Sequence, residues 1–185
     1  MKEMVEEYQI VYKEQEPYEV LETKWLPYED ILRLKMVESM VEVYYNSGQF
    51  WHTLEYLVPF EKDAFTFYEK LGSFYEKKGY SEISHSRMRR YEILLEYLQE
   101  ETDVPTEVAA QKMLYDLYLR EKLKKRPVFA PDQKQYETAV WNYRKNNQVS
   151  KTAHIEVFEN GTVILFDYEK RVPLSNNAYT EVVQL

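Results

Sequence analysis

The 185-residue chain has no cysteine, which excludes disulfides, thiolate zinc sites, iron–sulfur ligation and a cysteine nucleophile together. Glycine is scarce, with only Gly48, Gly72, Gly79 and Gly161. No phosphate-cradling loop of the G-x-G-x-x-G or Walker type can be built from them. The three histidines, His52, His85 and His154, have no triad spacing, and no serine lies in G-x-S-x-G. No apolar run approaches the roughly 20 residues of a membrane span, and no signal peptide is visible. Basic residues are outnumbered, 24 against 32 acids, and a net charge of −8 argues against nucleic acid as a partner. The expectation is a soluble cytoplasmic protein with neither membrane nor nucleic acid among its partners.

Hydrophobic residues at 44% and charged residues at 30% exclude a disordered or fibrous chain. A chain of this length buries about 70% of its unfolded surface and can build its own core. Tyrosine is abundant, with 18 residues. Such rings line clefts and interfaces or lie half-buried on helices.

Residues 1–30 hold three Lys and nine Asp+Glu, punctuated by Pro17 and Pro27. Tyr18 to Trp25 reads as an extended connector, and residues 1–26 form an acidic lead-in that needs a surface to lie against. Residues 27–146 form a helical body. Pro27 with Glu29 and Asp30 opens a helix carrying Ile31, Leu34, Val37, Val41 and Tyr44, which Asn46-Ser47-Gly48 stops with a left-handed cap. A short helix bears Phe50, Trp51, Leu54 and Leu57. The next shows Phe60, Ala64, Phe67, Leu71 and Phe74 and closes at Gly79. Ser84 or Ser86 caps a helix with Met88, Tyr91, Leu95 and Leu98 inside. Pro105 opens another with Ala109, Met113 and Leu117, and a last helix spans Pro131 to about Asn146. The period then changes to two. Residues 147–185 form a small antiparallel sheet: Ala153, Ile155 and Val157 alternate with His154, Glu156 and Phe158, Asn160-Gly161 marks a hairpin turn, and Thr180 to Leu185 supplies a third strand. The fold class is α+β, mainly α, with five or six helices in a compact bundle and a small C-terminal sheet.

No catalytic, cofactor-binding or metal residue stands out. Glu82-Ile-Ser-His85 has the E-x-x-H spacing of di-iron bundles, but those use the pair twice with two further Glu. The other match, His52-x-x-Glu55, is reversed. His154 faces water or a packed helix. Arg120 to Arg126 carries five positive charges and one negative; it complements a helix dipole or meets the acidic lead-in. Trp25, Tyr44, Tyr45, Phe50, Trp51 and Tyr56 form an aromatic stretch, mostly core, whose exposed remnant marks an interface. The interface candidates are Trp25, Tyr44, Tyr45, Trp51, His52, His85 and Arg87. Trp25 is expected to pack on the first long helix near Tyr44 or Trp51, with earlier residues looser or borrowed into a dimer.

One stretch is more specific. Glu16 to Lys35 (EPYEVLETKWLPYEDILRLK) runs into Val37 to Phe50 (VESMVEVYYNSGQF), and Ser84-His85-Ser86-Arg87, Leu114 to Lys122 and Lys125-Arg126-Pro127 follow. These segments resemble the uncharacterised C-terminal domain that follows the barrel in bacterial cobalamin-binding radical S-adenosylmethionine proteins, often labelled as magnesium-protoporphyrin monomethyl ester oxidative cyclases. The resemblance implies a parent with a cobalamin-binding domain, a radical barrel with a C-x-x-x-C-x-x-C cluster motif, and this domain last. It implies an iron–sulfur cluster, S-adenosylmethionine and cobalamin in that parent and none in this chain. The chain lacks both cysteine and an Asp-x-His-x-x-Gly motif. The implied role is an accessory, non-catalytic domain that packs on the barrel of the same polypeptide and helps shape or close the substrate site. Residues Met4 to Tyr12 would be the barrel's tail. The alternatives are a free-standing interaction module using an aromatic patch, able to homodimerise, and, last, an autonomous helical metalloenzyme.

Overall fold

The computed structural model describes residues 2–16 and 18–185, and the side chains from Val5 onward. The expected break at Pro17 lies outside the described residues. The elements in chain order are α1 (Lys2–Glu7), β1 (Val11–Tyr12), β2 (Val20–Glu22), α2 (Tyr28–Met40), α3 (Trp51–Leu57), α4 (Ala64–Lys77), α5 (Arg87–Glu101), α6 (Thr106–Arg120), α7 (Glu137–Asn146), β3 (His154–Val157), β4 (Val163–Arg171) and β5 (Ala178–Val183). The fold is α+β and mainly α, with a three-stranded antiparallel sheet near the C-terminus. The chain divides into two compact units. The first takes the residues up to Asn46 and Glu61–Ile83; the second takes Ser47–Phe60 and Ser84–Leu185.

In the first unit the lead-in is more than a connector. β1 and β2 pair antiparallel, Val11 with Glu22 and Tyr12 with Val20. Strands of two and three residues without an Asn-Gly turn leave no periodic signal, which is why the connector reading missed them. Trp25 is 68% exposed, and its ring contacts Tyr8 at 5.2 Å. It is therefore not buried, against the expectation that it packs on the first long helix near Tyr44 or Trp51. The first long helix also changes character. After Met40 it continues as a π-helical turn, Val41–Asn46. The stripe runs through Ile31, Val37, Met40 and Tyr44, while Leu34 is exposed. The Tyr44 hydroxyl shares a 2.7 Å hydrogen bond with that of Tyr75 on α4. Gly48, where a left-handed cap was expected, has φ +62°.

The N-terminus of α4 is set by Asp63, whose carboxylate accepts from the Thr66 N–H at 2.8 Å. This cap starts the helix later than Phe60, so Phe60 and Ala64 are exposed, whereas Phe67, Leu71 and Phe74 are buried. Each such buried ring or leucine stabilises by about 1.5–3 kcal/mol. At the other end the Tyr80 N–H reaches the Tyr75 carbonyl and the Gly79 N–H reaches that of Glu76, with Gly79 at φ +70°. That is a Schellman stop, which a left-handed glycine accommodates without strain.

In the second unit Ser86, not Ser84, caps α5 by accepting from the Arg89 N–H. Both faces of the sheet carry buried clusters, although Tyr179 and Val182 of β5 are exposed. Ile155, Val157, Val163, Leu165 and Val183 form one cluster with Tyr136, Val140 and Tyr143 from the α7 region. Phe158, Phe166 and Ala178 form another with Leu114, Tyr118 and Leu119 of α6. The expected alternation is therefore real, but its second face meets a helix rather than water. The β3–β4 hairpin turns at Glu159-Asn160-Gly161: the Phe158 N–H bonds the Thr162 carbonyl and the Gly161 N–H bonds the Phe158 carbonyl, each at 2.9 Å. Gly161 lies at φ +80°. This is a three-residue loop ending in a left-handed glycine rather than a two-residue turn.

Gly72 of α4 lies against the Met36 side chain of α2. A methyl there would lie 2.6 Å from Met36 Cγ and 3.1 Å from its Sδ. Alanine gains about 1 kcal/mol of helix propensity over glycine, but overpacking costs about 1–3 kcal/mol. The nearest obstacle is a Cγ rather than a mobile chain end, so the clash wins. Gly72→Ala is expected to lower stability by about 1 kcal/mol in urea unfolding, and adding Met36→Ala to relieve that clash. A more stable Gly72→Ala protein would show that the two helices separate freely.

Candidate functional site: a cleft beside a histidine–aspartate pair

Asp116 sits on α6 with its side chain almost wholly enclosed. Its carboxylate accepts four hydrogen bonds from the start of α3. Oδ1 receives the His52 N–H at 3.2 Å and lies 2.7 Å from His52 Nδ1; Oδ2 receives the Thr53 N–H at 2.8 Å and the Thr53 hydroxyl at 2.7 Å. The first turn of a helix has N–H groups with no partner in the helix, and a carboxylate suits its positive end. Phe50, at the N-cap of α3, contributes no side-chain bond. Asp116 does that work from 63 and 64 residues away. Because a carboxylate only accepts, the Nδ1 hydrogen belongs to the bond with Asp116. Nε2 is then the nitrogen available to anything outside the pair. Tyr115 braces the imidazole edge-on, with ring centroids 4.7 Å apart.

His52 and Tyr115 line a cavity of about 620 Å³. Val108, Phe158 and Ile164 complete its apolar wall, and Gln111, Lys112, Glu159, Asn160 and Thr162 supply polar groups. The volume lies within the range of small-molecule sites, as does the pattern of apolar walls with a few polar groups. The residues come from α3, α6 and the β3–β4 hairpin, all in the second unit. Two amides have fixed orientations: Gln111 Oε1 accepts the Glu159 N–H at 3.2 Å, and Asn160 Oδ1 accepts the Thr162 N–H at 2.9 Å.

A second buried carboxylate supports the sheet that carries the hairpin. Glu156 is fully enclosed on the face of β3 that meets α6. Arg126 grips it with two bonds of 2.7 Å, and His154 Nε2 lies 2.9 Å from Oε2. Burial works against the charge of Glu156, but the bonds from His154 and Arg126 outweigh it and hold the carboxyl below the usual carboxylate range. Burial also pushes the His154 imidazole below its ordinary value, against the pull of Glu156. The ring stacks on Tyr118 of α6 with centroids 3.9 Å apart, so His154 faces a packed helix. Burial, with Glu156 beside it, pushes the Tyr118 hydroxyl up to about 12.

Two arginines of the basic run are engaged inside its own unit. Arg120 ends α6 and donates to the carbonyls of Ser47 and Ser175 at 3.0 Å. Arg126 crosses to β3 rather than serving the helix end. Among the interface candidates, Trp25, Tyr44 and Tyr45 belong to the first unit, and Trp51, His52, His85 and Arg87 to the second. Tyr44 is core. Tyr45 is exposed, as is Trp51 at 60%. His52 is bound to Asp116. Arg87 bonds Gln49 Oε1 at 2.9 Å and Glu121 Oε1 at 2.6 Å. Glu82 and His85 lie in the irregular connection before α5, so the helical spacing of an E-x-x-H pair does not apply to them. Among the described residues no cluster of three or more His, Asp or Glu could hold a metal ion.

Sequence reasoning missed Asp116, although a signal existed. It falls three residues after Met113, on the apolar stripe of Ala109, Met113 and Leu117, where an acid requires partners. Asp116→Ala leaves two backbone N–H groups and a buried hydroxyl without an acceptor. It is expected to cost about 3 kcal/mol or more in urea unfolding, with Asp116→Asn costing less because an amide oxygen still accepts. Equal losses for the two variants would show that charge, not bonding, holds the contact.

Two titrations act in the same direction. His154 has a folded pKa below its usual 6.5, and Glu156 one below its usual 4.5. The unfolded chain therefore takes up protons first as the pH falls. Stability is expected to be fully present above pH 6.5, to decline below it as His154 must charge, and to decline again below about 4.5 as Glu156 protonates. His154→Gln should flatten the first decline in pH-dependent melting curves. A rise in stability between pH 7 and 5.5 would contradict the assignment.

The family described as "Protein of unknown function (DUF4080)" matches residues 6–171. No curated protein and no solved structure matches the chain. Among the described residues no helix is long and apolar enough to cross a membrane. With the match covering all but the two ends, the chain belongs to the DUF4080 family of proteins of unknown function.

Proposed function

We propose that this chain is an accessory, non-catalytic C-terminal domain of a cytoplasmic cobalamin-binding radical S-adenosylmethionine protein. In that role it packs on the barrel of the same polypeptide and helps shape or close its substrate site. The reading rests on the resemblance of Glu16–Phe50 and Leu114–Pro127 to that domain. One structural observation supports it above others. The segment nearest the proposed barrel displays large apolar side chains: Val11, Tyr12, Tyr18, Trp25 and Tyr28 are all exposed, Tyr18 at 70%. Tyr12 and Val20 are paired on one hairpin, so part of this display is a face and not a scatter. Exposed apolar surface of this kind marks an interaction site, and aromatic residues dominate interface energetics.

The cofactors of the parent belong to its other parts. An iron–sulfur cluster needs thiolates, and this chain has none. The residues present do not fit that group.

The test mixes the chain with a separately expressed cysteine-motif barrel and follows Trp25 emission and sedimentation. Association with a blue shift is expected. Trp25→Ala should weaken it by tenfold or more, as for a buried aromatic anchor. No association at high micromolar concentration would overturn the reading. Self-association through the same aromatics would instead favour a free-standing, dimerising module.

A further inference from the structure

We infer that the cleft between α3, α6 and the β3–β4 hairpin binds a small aromatic or alicyclic carboxylic acid, with its acid group held by Lys112, Gln111 and Asn160. The inference concerns the second unit alone and does not depend on the barrel.

The walls set the body of the ligand. Val108, Tyr115, Phe158 and Ile164 present apolar surface around a space of about 620 Å³, room for a molecule of several fused rings. The polar groups set its functional end. Gln111 and Asn160 have already committed their amide oxygens to the N–H groups of Glu159 and Thr162. Their NH₂ ends are what they can offer a guest, and these only donate. The Lys112 ammonium only donates as well. Two amide NH₂ groups and a cation select an acceptor, and a carboxylate satisfies all three. Glu159 also lines the cleft, but it is exposed while Lys112 is half-buried. Water therefore screens the acid more than the cation. His52 completes the site. Its ring is held by Asp116 and braced by Tyr115, so Nε2 is presented in one orientation rather than sampled among rotamers. It reads a hydroxyl or N–H on the same molecule.

The probe is naphthoate, with naphthylmethylammonium as the opposite-charge control, titrated into the full chain while the His52 ring is followed by NMR. The chain has three histidines, and His52→Gln identifies the resonance. A saturable shift with naphthoate, at least tenfold tighter than with the ammonium, is expected. Lys112→Gln should weaken naphthoate by about tenfold, the size of a lost charged hydrogen bond. Val108→Trp, at an exposed position on α6, should fill the cleft and abolish binding with the melting temperature unchanged. No saturable shift at millimolar naphthoate, equal binding of the two probes, or unaltered affinity in Lys112→Gln would each overturn the inference.

Discussion

The second unit is organised around a carboxylate that is out of reach of water. Asp116 is on the stripe of α6 that should be apolar, and a buried carboxylate without partners is among the costliest groups a fold can contain. Among the described residues, the start of α3 supplies its hydrogen-bond partners. One contact then does three things. It ends the search of α3 for its position, it satisfies N–H groups that Phe50 leaves open, and it holds the His52 ring against Tyr115. The cleft has a defined wall because that histidine cannot turn away.

Glu156 does for the sheet what Asp116 does for α3. Where α6 covers the sheet, residues on that face cannot meet water, so the even-numbered positions of β3 must be compatible with α6. Phe158, just past the end of β3, satisfies that with a ring. Glu156 satisfies it only because Arg126 comes in from the segment after α6 and His154 closes the other side. Burying a paired charge is weak evidence for stability by itself, since removing ions from water costs as much as their attraction returns. What such a pair does supply is a fixed geometry between α6 and β3. The hairpin that lines the cleft grows from the end of that strand.

The first unit shows the opposite economy. Its core is aromatic and apolar, with Tyr44 and Tyr75 sharing one hydrogen bond in the interior. Its lead-in, by contrast, leaves aromatic surface in solvent. A short hairpin of two and three residues is marginal alone. Its rings at Tyr12, Tyr18 and Trp25 stand exposed.

Local order was legible in the residues themselves. The positions of α2 to α6, the stop at Gly79, the change of period before Ala153 and the glycine of the hairpin all follow from spacing, caps and allowed φ, which involve neighbours within a few residues. Membership in a domain family was legible too, because motifs are strings. Nothing in the string pairs Asp116 with His52 and Thr53, or Glu156 with Arg126, since those partners lie far apart in sequence and any of the many acids could have been chosen. Nor does alternation reveal whether a strand's second face meets water or a helix; the pattern is identical until the helix arrives. Sequence alone determined most elements from α2 onward and membership in a family of unknown function, but not the short strands of the lead-in. The cleft, its oriented histidine and the enclosed carboxylates were decided by packing, because burial is a property of the assembled chain and only burial forces a charge to find a particular partner.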